Sequence, residues 1–490
     1  MFDILDKMDV YDEAVLLHKV KNIKKQQLSN AKAHLYRQIL SSLRLIKFEN
    51  NIDIQLHEQL DYVRLLYNQG LYLQSLKVLD RIKETARTYY QNTFLLQVIF
   101  IEQKIEALHI TRSMQDRADR LAQEMNDVNR QLSLTGILSN LSLQLYSWFI
   151  KNGHARNEKD EIAVKDFFEK NLPANASLCT GFYEKLYLYQ SYTWYAFIGQ
   201  DFLSYYRYTQ KWVDLFEKEK FMIPIETSHY IKGMHNLLSA HFDLLNYPKF
   251  TETLKHFERF SHSDLVQEND NNRIQTFVYL HISKINKHFI DGTFTEGLAL
   301  VPFIEGKLKE YELYLDRHRV LVFYYKFASL YFGSGDYENT IKYLNKIINW
   351  KVDLRTDLQC YSRLLHLIAH YELGNYQLLE YLTKSVYRFM AKMENLSLVE
   401  EEIFKFLRLS FKLSPKQLKP EFEKLLEKLK TYEKNRYDTR AFVYLDIISW
   451  LESKIRDVPV QNILREKFLK RNGTVDRIQS ESGARGRNAV

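Results

Sequence analysis

At 490 residues the chain is too long for a single globular core to keep growing, so burial must be shared among several domains or an array of repeats. Only 15 glycines and 7 prolines are present, too few turn formers for a sheet-rich fold, and the 46% of apolar residues arrive in short clusters of the kind amphipathic helices require. The net charge of +8 is uneven: residues 461–490 hold seven basic side chains against three acids, and the rest is too dilute in positive charge to announce a nucleic-acid groove.

In chain order, Met1 to Asp9 carries Asp3, Asp6 and Asp9 and no sustained apolar stretch, which argues against a secretory leader. Lys19, Lys21, Lys24, Lys25, Lys32, Arg37, Arg44 and Lys47 are then opposed only by Glu49. A basic helical hairpin can neutralise phosphates, and Lys19, Lys21, Lys24 and Lys25 form a candidate electrostatic patch. The plainer reading is a solvated helix face on an end repeat. Gly70-Leu71-Tyr72 is the first of several glycine-X-aromatic triplets between amphipathic stretches. The longest apolar runs, such as Leu95 to Ile101 broken by Gln97, fall far short of the roughly 20 residues that cross a bilayer, so no membrane span is expected. Ser113 followed by Asp116 reads as a capping signal.

The polar stretches Asn152 to Glu161 and Ser263 to Arg273 are candidate long loops. Between them lie a dense tyrosine cluster, from Tyr183 to Tyr208, and two weaker turn signals, Gly199-Gln200-Asp201-Phe202 and Asn246-Tyr247-Pro248-Lys249-Phe250. Gly292-Thr293-Phe294 follows, then the clearest unit, Tyr324 to Ile348. There Gly335 can take positive φ and end one helix, Asp336 can cap the next, and Tyr337, Ile341, Leu344 and Ile348 space out a buried face. Gly374-Asn375-Tyr376 repeats the device, 39 residues after Gly335, which itself lies 43 after Gly292. That step suits one helix pair with its connections. Ser397 with Glu400 makes a full capping box, and Glu401 and Glu402 read as a helix start favoured by the dipole rather than as converging catalytic carboxylates. Ser414-Pro415 and Asp438 mark further starts, a last patterned helix near Ala441 to Ile455 can cap the array, and beyond about Arg471 little remains to bury, so disorder is expected. At about 20 residues per helix with its loop, the chain would hold roughly two dozen helices.

Signals for chemistry are weak. His366 and His370 stand four apart on one helix face, but Leu367, Ile368 and Ala369 fill the interval and Glu372 is the one nearby third ligand, so packing outweighs a metal site. No phosphate loop, nucleophile elbow or Cys-x-x-Cys pair occurs. Cys179 and Cys360 are the only cysteines, which fits a cytoplasmic protein with reduced thiols.

The run around Gly335 resembles a tetratricopeptide repeat, with a glycine between helices, an aromatic two residues later and a small residue three beyond that. Ser75, Gly297 and Thr340 follow the last rule, whereas Leu379 departs from it. The resemblance implies an all-α fold, an α-solenoid or right-handed superhelix of stacked antiparallel helix hairpins. Domains would run over 1–150 (N-terminal repeats with the basic first hairpin), 151–270 (middle repeats), 271–395 (the clearest repeats), 396–470 (C-terminal helices and cap) and 471–490 (the disordered tail). It also implies that the first helix of each pair lines a concave face, which places Arg64, Tyr67, Tyr279, Asn286, Tyr325, Ser329, Phe332, Tyr361 and Tyr371 as partner-binding residues. The lysine and asparagine set with which chaperone-binding members hold a terminal carboxylate is not reproduced; only Asn286 falls in place.

The expected function is a non-enzymatic, cofactor-free scaffold or adaptor that holds a protein or peptide along that face. The alternative is a ligand-responsive regulator that binds nucleic acid through the basic N-terminal hairpin, although no helix-turn-helix is recognisable.

Overall fold

A computed structural model describes residues 1–490 except 9–10, 21–22, 47–50, 109–115, 175–178, 351–354, 394–395, 411, 434–436, 438–445 and 486–490; the side chains of 46, 415 and 474–485 are also outside the description. Every regular element among the described residues is a helix. The chain divides into two compact units, Met1–Leu132 and Ser133–Val490.

In the first unit α1 (Phe2–Asp6), α2 (Glu13–Lys19) and α3 (Leu28–Ile46) precede α4 (Ile52–Asn68), α5 (Tyr72–Thr88) and α6 (Asn92–Leu108). Residues 117–132 of α7 (Arg117–Asn152) complete it. Successive helices pack on one another, and Leu60, Val63, Leu79, Ile82, Phe94, Val98 and Leu121 form one core.

The second unit continues with α8 (Glu158–Asn171), α9 (Phe182–Ile198), α10 (Phe202–Lys218), α11 (Thr227–Asp243) and α12 (Tyr247–Ser261). Then come α13 (Asp264–Gln267), α14 (Asp270–Asp291), α15 (Phe294–Gly297), α16 (Val301–Glu310), α17 (Arg317–Ser334), α18 (Tyr337–Ile348), α19 (Thr356–Glu372) and α20 (Tyr376–Lys392). It finishes with α21 (Leu398–Ser410), α22 (Pro415–Tyr432), α23 (Ile447–Arg456) and α24 (Val460–Arg485). The polar stretch 263–273 is not one long loop, because α13 and the start of α14 occupy most of it.

One turn joins the hairpins of both units. A residue in the left-handed region ends the first helix, and the next residue sends its N–H to the carbonyl five positions back: Leu71 to Leu66 (2.9 Å), Asp201 to Ala196 (2.9 Å), Asn246 to His241 (2.9 Å), Thr293 to His288 (3.0 Å), Asp336 to Tyr331 (2.9 Å) and Asn375 to His370 (3.1 Å). An aromatic then opens the second helix in each case. Gly335, at φ +88°, and Gly292, at φ +67°, take the left-handed position without strain. At the two weaker turns the position falls to Gln200 and Leu245, not to Gly199 or Asn246. Asp336 caps α18 by accepting from the Asn339 N–H (3.1 Å), as its side-chain chemistry suggests. The buried stripe of α18 is Thr340, Tyr343, Leu344 and Ile347, rotated about one residue from the expected Tyr337, Ile341, Leu344 and Ile348. In two hairpins the small residue three after the aromatic touches the first helix: the Ser75 hydroxyl reaches the Val63 carbonyl and the Thr340 hydroxyl the Ala328 carbonyl, each at 3.4 Å and twelve residues back, whereas the same position holds Tyr205, Phe250 and Leu379 in three others.

Two features of the second unit depart from packing between chain neighbours alone. The Arg355 N–H bonds the Ile150 carbonyl (3.3 Å) and Arg156 reaches the Met393 carbonyl (3.5 Å), so the end of α7 and the segment after it meet the residue before α19 and the end of α20. The last helix, α24, returns to α14 and α17. Arg465 donates to the Asp291 carbonyl (3.0 Å), the Thr295 hydroxyl donates to Gln461 (2.9 Å), and the Phe468 and Tyr247 rings meet edge to face at 4.8 Å. Gly292 is required twice, since a Cβ there would lie 2.5 Å from the Arg465 backbone nitrogen. The backbone of residues 471–485, read from sequence as having no regular structure, continues α24; no proline interrupts its hydrogen-bond ladder.

Candidate functional site

The first helices of the hairpins in the second unit turn matching faces toward one space. Helix α11 presents Lys232, His235, Asn236, Ser239 and Asp243; α14 presents Tyr279, Ile282, Asn286 and Phe289; α17 presents Arg319, Val322, Lys326, Ser329 and Gly333. Steps of three and four residues keep each set on a single stripe. Tyr146 and Phe149 of α7, Trp194 and Phe197 of α9, and Leu464, Lys467 and Phe468 of α24 complete the walls around a cavity of about 840 Å³. That volume suits a drug-sized molecule or a short peptide segment.

The chamber is aromatic and cationic. The Lys232 ammonium lies 4.4 Å from the Tyr146 ring centre and 5.6 Å from that of Trp194. Burial pushes its pKa down to about 8, with Arg319 adding repulsion. Lys326 donates to Asn286 Oδ1 (2.5 Å) and stands 5.3 Å from the Phe289 ring. It too falls to about 8, through burial first, with Asp243 opposing that shift and Arg355 adding to it. His235 stacks flat on Tyr279, centroids 4.0 Å apart and planes 7° from parallel, and Arg319 is 5.7 Å from the same tyrosine. Burial lowers His235 to about 3, and Lys326, Arg319 and Lys232 push the same way, so it is neutral at pH 7. Asp243 is lifted to about 8 by burial against the pull of Lys326, and its Oδ2 meets no hydrogen-bond partner among the described residues. Arg355 is held by Asp357 through two bonds of 2.9 Å and lies over Phe149.

Of the nine residues placed on a concave face from sequence, Tyr279, Asn286, Tyr325, Ser329 and Phe332 line this chamber. Arg64 and Tyr67 belong to the first unit: Arg64 is exposed and bonded to Asp61 (3.0 Å), and Tyr67 packs edge to face on Tyr72. Tyr361 and Tyr371, 2% and 6% exposed, are covered by the chain's own C-terminal helices. Tyr371 sits among Phe406, Phe422 and Trp450 with ring centres 6.1–6.4 Å away. Sequence reasoning passed over Lys232, His235, Arg319 and Lys326. For Lys326 the available signal was its place between the chosen Tyr325 and Ser329; on α11, which holds Lys232 and His235, no residue had been chosen.

The other candidates disperse. His366 and His370 pack ring edge to ring face at 4.4 Å, while Glu372 accepts from the Trp450 indole (2.6 Å) and the Lys454 ammonium (2.8 Å). The Cys179 thiol is raised to about 11 by burial, and Cys360 is buried. Glu400 accepts from the Ser397 N–H (2.7 Å) at the start of α21, the capping role read from sequence, and Ser414 precedes Pro415 at the start of α22. Lys19, Lys24 and Lys25 are exposed; Lys21, Ser113, Asp438 and Ala441 lie outside the described residues. No family model, curated protein or solved structure matches this chain.

Proposed function

We propose that the chain is a non-enzymatic, cytoplasmic binding protein, an α-solenoid of tetratricopeptide-like hairpins coiled into a right-handed superhelix, which holds a protein or peptide segment against its first helices. The left-handed turn shared by six hairpins, and the contacts of Ser75 and Thr340 with the preceding helix, support the repeat reading. The observation that carries the function is the chamber itself, with aromatic faces and paired amide and hydroxyl groups from α11, α14 and α17 turned into one space. Tyrosines and other flat side chains supply contact area at little conformational cost.

Filling the chamber tests this. Ser329→Trp places an indole on the α17 wall, and capture from a native lysate is expected to lose a specific partner that the wild-type protein retains. An unchanged partner set would remove the chamber from the binding site. Nucleic-acid binding that falls steeply with salt and disappears on neutralising Lys19, Lys24 and Lys25 would replace the reading with the regulator.

A further inference from the structure

We infer that the group recognised in the chamber is an oxyanion, a carboxylate or a phosphate, seated among the side chains of Lys232, Arg319 and Lys326. The inference rests on the chamber being a binding site and names the chemistry it selects. Lys232 and Lys326 are half-buried and face the cavity, yet neither has a described carboxylate within ion-pair distance: Lys232 rests on two aromatic rings and Lys326 on an amide oxygen. An ammonium removed from water without a counter-charge is costly, and proteins ordinarily neutralise, pair or fill such a position. Arg355 does not share this condition, because Asp357 already holds it. Arg319 reaches Asp316, the N-cap of α17, at 3.4 Å. Asp243 lines the same cavity but makes no ion pair with Lys326 among the described residues, and burial raises its carboxyl against the pull of that lysine. Tyr279 ties the group together, stacked on His235 at 4.0 Å and beside Arg319 at 5.7 Å. His235, one turn beyond Lys232, is flanked by all three cations and is kept neutral, so it can offer a ring nitrogen to a protonated ligand oxygen.

The test is thermal unfolding of the full chain with inorganic phosphate, and separately with citrate, each against sodium chloride at equal ionic strength. The wild-type midpoint is expected to rise with at least one of the two beyond the chloride control. The double variant Lys232→Met/Lys326→Met is expected to need about tenfold more anion or greater for the same shift, as loss of charge-assisted hydrogen bonds implies. A response to phosphate alone assigns a phosphate ligand, and a response to citrate alone a carboxylate. If neither anion exceeds chloride, or if the double variant responds like the wild type, the inference is overturned. Arg319→Gln gives the same readout should the double variant not fold. Loss of partner capture in Ser329→Trp with no anion response in the wild type would remove the oxyanion seat and leave the binding role standing.

Discussion

Each unit of the molecule turns lysine inward, and the two surround it in opposite ways. In the first unit the Lys83 ammonium lies 2.6 Å from Glu102 and 2.9 Å from Glu124, and Arg87 joins Glu124 at 3.1 Å. Burial lifts the Glu102 carboxyl above its usual range, against the pull of Lys83. Burial acts on Glu124 in the same sense, but Lys83 and Arg87 outweigh it and hold that group low. The set is closed on itself and has nothing left to attract. In the second unit Lys232 and Lys326 face a cavity with rings and an amide for company. Burial alone therefore does not single out Lys232 and Lys326; what separates them from Lys83 is the lack of an ion-pair partner among the described residues.

This contrast can be broken or sharpened by three measurements. The largest effect is expected from acid. His229, His241, His318 and His366 are lowered to about 4, and His235 to about 3, in each case chiefly by burial, and all five lie in the second unit. A group with a depressed folded pKa contributes stability that is present above its unfolded pKa of 6.5 and is lost as pH falls through the folded value. Denaturant unfolding followed from pH 7 to pH 4 is expected to lose on the order of 10 kcal/mol, and a flat profile would contradict the burial of these rings. Next comes Glu102→Ala, which leaves Lys83 buried with only the half-exposed Glu124; a loss of about 3 kcal/mol in equilibrium unfolding is expected, and a neutral outcome would place the network in water. Smallest is Lys232→Met without added anion. Because no carboxylate is abandoned, stability is expected within about 1 kcal/mol of wild type or slightly higher, and a large loss in calorimetry would make this lysine structural after all.

The hairpins were legible because the turn is written locally. A left-handed residue, a cap and an aromatic occupy three consecutive positions, and at Gly335-Asp336-Tyr337 all three residue types suit their places. The weaker turns were harder to read because Gln200 and Leu245 carry the positive φ, which no composition rule singles out. A smaller part of the chamber was legible, since Tyr279, Asn286, Tyr325, Ser329 and Phe332 follow from the family resemblance, which turns the first helix of each pair inward. Tyr361 and Tyr371 obey the same periodicity yet are packed away, because which helices cover α19 depends on how α21 to α23 fold back. The cationic seat escaped notice because the importance of Lys232 and Lys326 comes from what is missing around them, and an absent partner is a property of three dimensions.

The junction of Gly292 with Arg465 carries a consequence for the order of assembly. The wall supplied by Leu464, Lys467 and Phe468 is translated more than a hundred residues after the helices it covers. During synthesis α11, α14 and α17 can pair with their neighbours while their polar stripe still faces open water, and the compartment gains its last wall only when α24 emerges and docks. A nascent chain arrested before that point would hold a trough where the finished protein holds a room.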